Sequence, residues 1–443
     1  MATIKSLPVE ILSEIITFVA HETFNPPISL LTVSKGWRDV VLNSPLAWGA
    51  LSIECGSENN HPPMPVVELC IRNSGVAPLF LSLDLELAFA QAIPILQPCS
   101  LLLQNKERIR ELDIHNAGAW NLWNLVHFWP ATNLVHFRIL QRSQYAMPLE
   151  LLELPLFQRN RQQAPRLHTL LLEHCAFDDG PAHELTSLQE LHMSSCSVST
   201  EGFKDIMKTC PSLRKLVFKG VVGKECPFTL VSMLPNLQEL DLNSYNFGIE
   251  RFLDTLRMCP NLRRLSFGHI TDNSHSYTPI DQVDGSWDET ITMKHIRELD
   301  VGSREGIRSL QTVVIPSLTH LTLTCGHIKG ALLEIMLRFI SQHDKNLQYL
   351  KLTLRADTPD VVILTLPDLS GLVTLYIDVW NIDYHPRRVF KHTSLLKFYI
   401  QVWPPLPDSA GWEEIFHVEP KTFEVSCPWT KGPGVIEGRR VEA

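Results

Sequence analysis

The chain has 443 residues, 44% of them hydrophobic and 20% charged, a balance that excludes disorder over most of its length. Lys+Arg 39 against Asp+Glu 48 leaves a net charge of -9, which argues against nucleic acid as a partner. No run reaches the roughly 18 consecutive apolar residues of a membrane span, and the start Met1-Ala2-Thr3-Ile4-Lys5 lacks the apolar core of a secretory signal, so the ten scattered cysteines are expected as reduced, buried thiols of an intracellular protein, cytoplasmic or nuclear.

Residues 7–48 carry no repeat. Pro8-Val19 places Ile11, Leu12, Ile15, Ile16 and Val19 on one face of a predicted helix, with Pro8 in the first turn, where its missing N–H costs nothing. Asn25-Pro26-Pro27 breaks the chain, and Ser29 caps a second predicted helix holding Leu30, Val33, Trp37, Val40 and Val41. Gly36 inside that helix costs it about 1 kcal/mol relative to Ala. Asn43-Ser44-Pro45 ends it, and Leu46 and Trp48 follow as apolar anchors. About 45 residues in short helices bury little core of their own. This segment therefore either packs on the remainder of the chain or presents an apolar face to a partner, and for Ile15, Val33 and Trp37 both readings stay open.

A pattern Leu-x-x-Leu-x-Leu, with Ile, Val, Phe or Met allowed, then recurs twelve times, from Ile109-Ile114 to Leu395-Ile400. The mean step is about 26 residues. Gly49-Ile53 and Leu79-Leu85 are imperfect earlier copies. Each final Leu-x-Leu predicts a short strand with alternate side chains on one side. One such strand cannot bury its face alone; stacked neighbours form a parallel sheet over a continuous core. Between copies, Phe203, Ile206 and Met207 take helical spacing, as do Phe252, Leu253 and Leu256, and Gly330-Ser341 is a third helix. Cys210-Pro211 and Cys259-Pro260 close the first two. Strand, turn, helix, turn at this period resembles the leucine-rich repeat. The Cys leads and the Leu-x-x-Leu-x-Leu/Met-x-x-Cys copies ending at Cys175 and Cys196 are similar to its cysteine-containing class. The long connections Gln141-Pro165 and Gly268-His295 read as surface loops, either merely solvated or binding elements.

Positions between the buried leucines face outward: Glu111, Asp113, His115, His136, Arg138, Glu190, His192, Lys215 and Lys219, then Glu239, Asp241, Asn243, Arg264, Glu298, Asp300 and His320. This is a mixed polar face with an acidic lean. The last copies differ. Tyr349, Tyr376, Trp380, Tyr399 and Trp403 fall on the same side, and the last four repeat at one step. Stacked rings of this kind are binding anchors. The rival reading is that the tail 404–443, with Trp412, Phe416, Phe423 and Trp429, folds back over them and caps the sheet's open edge.

No Gly-x-Gly-x-x-Gly, P-loop, His-Glu-x-x-His or Gly-x-Ser-x-Gly is present, and the 18 histidines show no metal-ligand spacing. Glu173-His174-Cys175 with Asp178-Asp179 is the nearest approach to a chemical cluster, but Cys175 is a repeat position expected to be buried. No cofactor, metal or catalytic residue is expected.

The run LPVEILSEIITFV followed by LLTVSKGWRDVVLNSPLAW resembles the F-box, and the repeats behind it match a known architecture of that family. Arg72-Asn73-Ser74-Gly75-x-x-Pro78-Leu79 extends the likeness to F-box proteins of mushroom-forming fungi. The resemblance implies an α/β chain with a short N-terminal helical F-box at 1–52, a leucine-rich-repeat solenoid at 53–403 with its parallel sheet on the concave face of a horseshoe, and a tail at 404–443. It implies a substrate-recognition subunit of an SCF cullin-RING ubiquitin ligase. Leu7, Pro8, Ile11, Leu12, Val33 and Trp37 would then lie in or support the contact with the adaptor, and through it cullin. Tyr349, Tyr376, Trp380, Tyr399 and Trp403 would hold an unknown protein substrate. The alternative is a repeat scaffold for protein interaction outside ubiquitination.

Overall fold

The computed structural model describes residues 7–55, 60–84, 101–102, 104–115, 133–140, 152–153, 166–177, 185–198, 200–220, 233–242, 249–268, 290–302, 304–326, 330–355, 369–380, 397–403, 423–426 and 434–440. Two compact units result, Met1–Lys215 with Val221–Pro227, and Leu216–Gly220 with Phe228–Ala443. Both are α/β with parallel strands. Among the described residues no helix is long and apolar enough to cross a membrane.

The first unit opens with helices α1 (Val9–Thr23), α2 (Lys35–Leu42) and α3 (Pro45–Trp48). Ser34 caps α2 by accepting from the Trp37 N–H at 3.2 Å; Ser29, the residue expected to do this, lies in a short 3-10 turn instead. Strands β1 (Ala50–Cys55), β2 (Leu79–Asp84), β3 (Ile109–His115), β4 (His136–Leu140), β5 (Thr169–Glu173) and β6 (Glu190–Ser194) come next, each parallel to its successor. Helix α4 (Met64–Ser74) connects β1 to β2 and buries Val67 and Cys70. A second small parallel sheet joins 152–153, 175–177 and 197–198.

The helical segment is fastened to this sheet. Phe24 ends α1 in the left-handed conformation, and its carbonyl accepts from the Ser52 N–H of β1 at 2.6 Å. The His21 ring lies tilted against Phe80 with centroids 4.1 Å apart, and Ala47 and Trp48 have no exposed surface. One side of this segment packs on the sheet, and another keeps apolar residues in solvent.

The second unit carries β7 (Lys215–Lys219, from Leu216 on), β8 (Glu239–Leu242), β9 (Arg264–Phe267), β10 (Glu298–Val301), β11 (His320–Gly326), β12 (Tyr349–Arg355), β13 (Thr374–Trp380) and β14 (Lys397–Trp403). From β8 to β14 the strands pair in parallel with no slip in register. Two tail strands, β15 (Phe423–Ser426) and β16 (Gly434–Arg440), reverse direction: β16 pairs antiparallel with β14, and β15 with β16. The tail's Trp412, Phe416 and Trp429 lie outside the described residues, as do most of the two long connections.

Burial tracks the Leu phase. In every described copy the first Leu or Ile is buried, for example Leu213, Leu237, Leu262, Ile296, Leu318 and Leu347. The strand pairs behind it are buried too, among them Leu240 with Leu242, Leu321 with Leu323, and Leu350 with Leu352. At about 25 cal/mol per Å² of apolar surface, these rows are the main stabilising contribution. A further regularity precedes six of the described copies. Leu188, Leu213, Leu237, Leu262, Leu318 and Leu372 close a turn by donating to the carbonyl three residues back. That residue is also buried and apolar: Leu185, Cys210, Leu234, Cys259, Ile315 and Leu369. The expected helices form as α5 (Thr200–Thr209), α6 (Ile249–Met258) and α8 (Gly330–Ser341), with a short α7 (Arg304–Ser309) between β10 and β11.

Asparagine side chains tie successive copies together. The Asn261 amide donates to the Pro235 carbonyl at 2.8 Å, and Asn346 to Pro316 at 3.1 Å. Replacing Asn261 with Ala is expected to cost about 0.5–1 kcal/mol, the net worth of one such bond near solvent. A shift in the urea midpoint at constant slope measures it; an unchanged midpoint would show that the bond contributes nothing.

Candidate functional site

Helix α1 divides its apolar residues between two sides. Leu12, Ile16 and Ala20, spaced by four, face the core. Ile11, Ile15, Phe18 and Val19 are 42%, 45%, 66% and 50% exposed and recur at helical spacing on the other side. Leu7, Pro8 and Val33 are also exposed, and Trp37 is half-buried. Among the described residues this is an apolar stripe at one end of the first unit, flanked on the same helix by Glu10, Glu14 and Glu22. Leu12 belongs to the core and is not itself part of the exposed stripe. Ile15 and Val33 are not core residues either. Phe18 is an addition to the expected set; its offsets of seven from Ile11 and three from Ile15 place it on their stripe.

On the outward side of β3 and β4, Arg138 pairs with both Glu111 and Asp113, the latter at 2.9 Å. Asp113 is 4% exposed and His115 6%. These two are therefore not part of a solvated face, contrary to expectation. Burial pushes the Asp113 carboxyl up to about 6, with Arg138 opposing the shift. Burial also lowers His136, while the Glu111 charge opposes it. Glu111 and Asp113 thus satisfy one guanidinium, and the cluster reads as a self-paired polar patch.

In the second unit the outward positions change character along the sheet. Glu239 stands beside Arg264, Arg264 beside Glu298, Glu298 beside His320, and His320 beside Tyr349. The next row runs through Asp241, Ser266, Asp300, Thr322, Lys351, Tyr376 and Tyr399 in turn. The His320 ring stacks on Tyr349 at 5.7 Å, and the Lys351 ammonium lies 4.9 Å from the Tyr376 ring centroid. Tyr349 and Tyr376 are both half-exposed, but they lie in different rows, because Tyr349 stands beside Thr374. The backbone register pairs Tyr376 with Tyr399 and Trp380 with Trp403; the side chains of Trp380, Tyr399 and Trp403 lie outside the described residues.

Six thiols among the described residues sit in the core. Cys70, Cys175, Cys196, Cys210, Cys259 and Cys325 are free and buried, and burial pushes Cys70, Cys210 and Cys259 up to about 12. Cys175 is raised by its hydrogen bond with Cys196 and by burial. Buried in this way, these thiols pack as small apolar groups. No cluster of three or more His, Cys, Asp or Glu fit to hold a metal ion occurs among the described residues. The arrangement offers surfaces for docking. In comparisons with known proteins, no family model and no curated protein matches the chain.

Proposed function

We propose that this chain is the substrate receptor of an SCF-type ubiquitin ligase, with α1–α3 as an F-box that docks on the adaptor and the strand units as leucine-rich repeats that hold the target. The observation that carries this reading is the apolar stripe on α1, which costs solvation in the free chain and is what a helix-packing partner would bury. The anchoring of that helix to β1 through Phe24 and Ser52 gives the stripe a fixed position. The chain would accelerate transfer by holding a target near the ligase, raising its effective concentration, and would supply no reacting group itself.

Leu7→Asp combined with Pro8→Ala is the direct test. Both residues are exposed, so the fold is expected to keep its melting temperature. Co-purification with the adaptor should fall to background. Recovery of adaptor at the wild-type level would end the proposal. Cullin in the same pull-down separates a ligase subunit from a scaffold that engages the adaptor alone.

A further inference from the structure

Two buried thiols meet where successive copies of the first unit repeat the same bend. At the end of β5 the chain turns through His174, and at the end of β6 through Ser195, both in the left-handed conformation with φ of 55° and 51°. The His174 N–H donates to the Ser194 carbonyl at 2.9 Å, which ties one turn to the next. Each turn delivers a cysteine into the core: Cys175 and Cys196 have no exposed surface. The strands that follow pair in parallel, Ser197 beside Ala176 and Val198 beside Phe177. One residue back along both, Cys196 stands beside Cys175. Strands so paired lie about 4.8 Å apart, within the range of about 4.4–6.8 Å between Cα atoms that a disulfide spans. The sulfurs converge as well. The Cys196 Sγ lies 3.3 Å from the Leu172 carbonyl oxygen of the preceding copy and 3.3 Å from that of Ser194. The Cys175 Sγ lies 3.3 Å from the Glu173 carbonyl oxygen, and the two thiols share a hydrogen bond.

We propose that Cys175 and Cys196 are a peroxide-sensitive pair that closes reversibly into a disulfide between two successive copies. Cys196 is the attacking half. Its hydrogen bond with Cys175 lowers its pKa, against burial and the Glu173 charge, while the same bond raises Cys175. The Cys196 sulfur attacks one oxygen of hydrogen peroxide. The O–O bond breaks, hydroxide leaves and takes up the thiol proton as water, and Cys196 becomes a sulfenic acid. The Cys175 sulfur then attacks the Cys196 sulfur. The S–O bond breaks, and hydroxide leaves with the Cys175 proton as a second water. Two thiols are oxidised, and one peroxide is reduced to two waters. Access comes from local opening. Residues 175–177 and 197–198 belong to the small sheet, whose strands are two or three residues long and open at low cost. The bond consumes the S–H that Cys196 turns toward the Leu172 and Ser194 carbonyls, and Ser194 keeps the His174 N–H. This chemistry is independent of any role in ubiquitin transfer.

The test uses the full chain, reduced and then treated with hydrogen peroxide. Remaining thiols are alkylated after unfolding, and tryptic peptides are weighed. Residues 167–204 contain Cys175 and Cys196, no other cysteine, and no Lys or Arg before Lys204, so both thiols fall on one peptide. In the native chain that peptide is expected to become unalkylated and lighter by two hydrogen atoms. It should do so at least about tenfold faster than Cys70, Cys210 and Cys259 lose their labels. Dithiothreitol should restore both labels. The lead should fall when the chain is unfolded in urea before peroxide is added; a lead as large in urea would show that nearness in sequence, not the fold, joins the two. Cys175→Ser should halt the reaction at a Cys196 sulfenic acid, captured by dimedone, while Cys196→Ser should leave Cys175 open to alkylation. The wild-type result needs no variant, so misfolding of either variant cannot produce it. Retention of both labels when Cys70 has already oxidised, a sulfinic acid without a disulfide, or a bond from either cysteine to a third would overturn the proposal.

Discussion

Trp48→Ala is expected to lower stability by about 4 kcal/mol, the range for removing a large buried aromatic. Trp48 has no exposed surface, and its indole N–H donates to the Val41 carbonyl at 2.8 Å. Truncation leaves a void between α3 and the elements around it and removes one of the bonds to that carbonyl, which keeps the Ser44 N–H. The loss should be local first. Because α1–α3 reach β1 through this corner, limited proteolysis of the variant is expected to cut within 7–48 before the strand units. Trp48→Phe, which keeps most of the volume and loses only the bond, should cost markedly less. A loss below about 1 kcal/mol for Trp48→Ala would mean that the corner is not what holds the helices to the sheet.

Gly371→Val is the second large effect. A Cβ at Gly371 would stand 2.4 Å from the Lys345 carbonyl oxygen and 3.0 Å from its carbon, both backbone atoms that cannot rotate aside. The turn between β12 and β13 would have to open, and the unslipped register behind it with it. Overpacking of this kind costs about 3 kcal/mol or more, visible as a lower denaturant midpoint. Gly36→Ala provides the contrast. Its added methyl meets only the Ser34 Oγ at 3.9 Å, and α2 gains helix propensity worth up to about 1 kcal/mol. If both variants melted alike, close backbone approach would not be the reason Gly occupies position 371.

The strands are legible in the sequence because two periods coincide in them. Alternation assigns Leu240 and Leu242 inward and Glu239 and Asp241 outward without any knowledge of the neighbours. The helices after β6 and β8 are legible for the same reason at the helical period. Where residues choose among several partners, periodicity stops short. Asp113 and Glu111 look alike as alternating outward acids, and Arg138, 25 residues beyond Asp113, pairs with both, yet only Asp113 is buried. On α1 the sequence offers Ile11, Leu12, Ile15, Ile16 and Val19, a band wide enough to be divided between core and surface. The packing of α1 against α2 and α3 decides which half is buried. The buried residue three places before the first Leu in six copies forms no visible pattern, because Leu, Ile and Cys alternate there; what they share is burial at a turn, not a letter.

A stack of parallel strands has no intrinsic reason to stop. Each added copy leaves a fresh row of unpaired amide and carbonyl groups, and an identical chain can satisfy them as well as the next segment of the same chain. The reversal at β16 ends this. Its antiparallel pairing with β14 consumes the groups a further parallel copy would use, and β15 then pairs with it in the opposite sense. Removing 404–443 should accordingly convert a terminated array into one that grows, with dimers or larger species appearing in proportion to protein concentration.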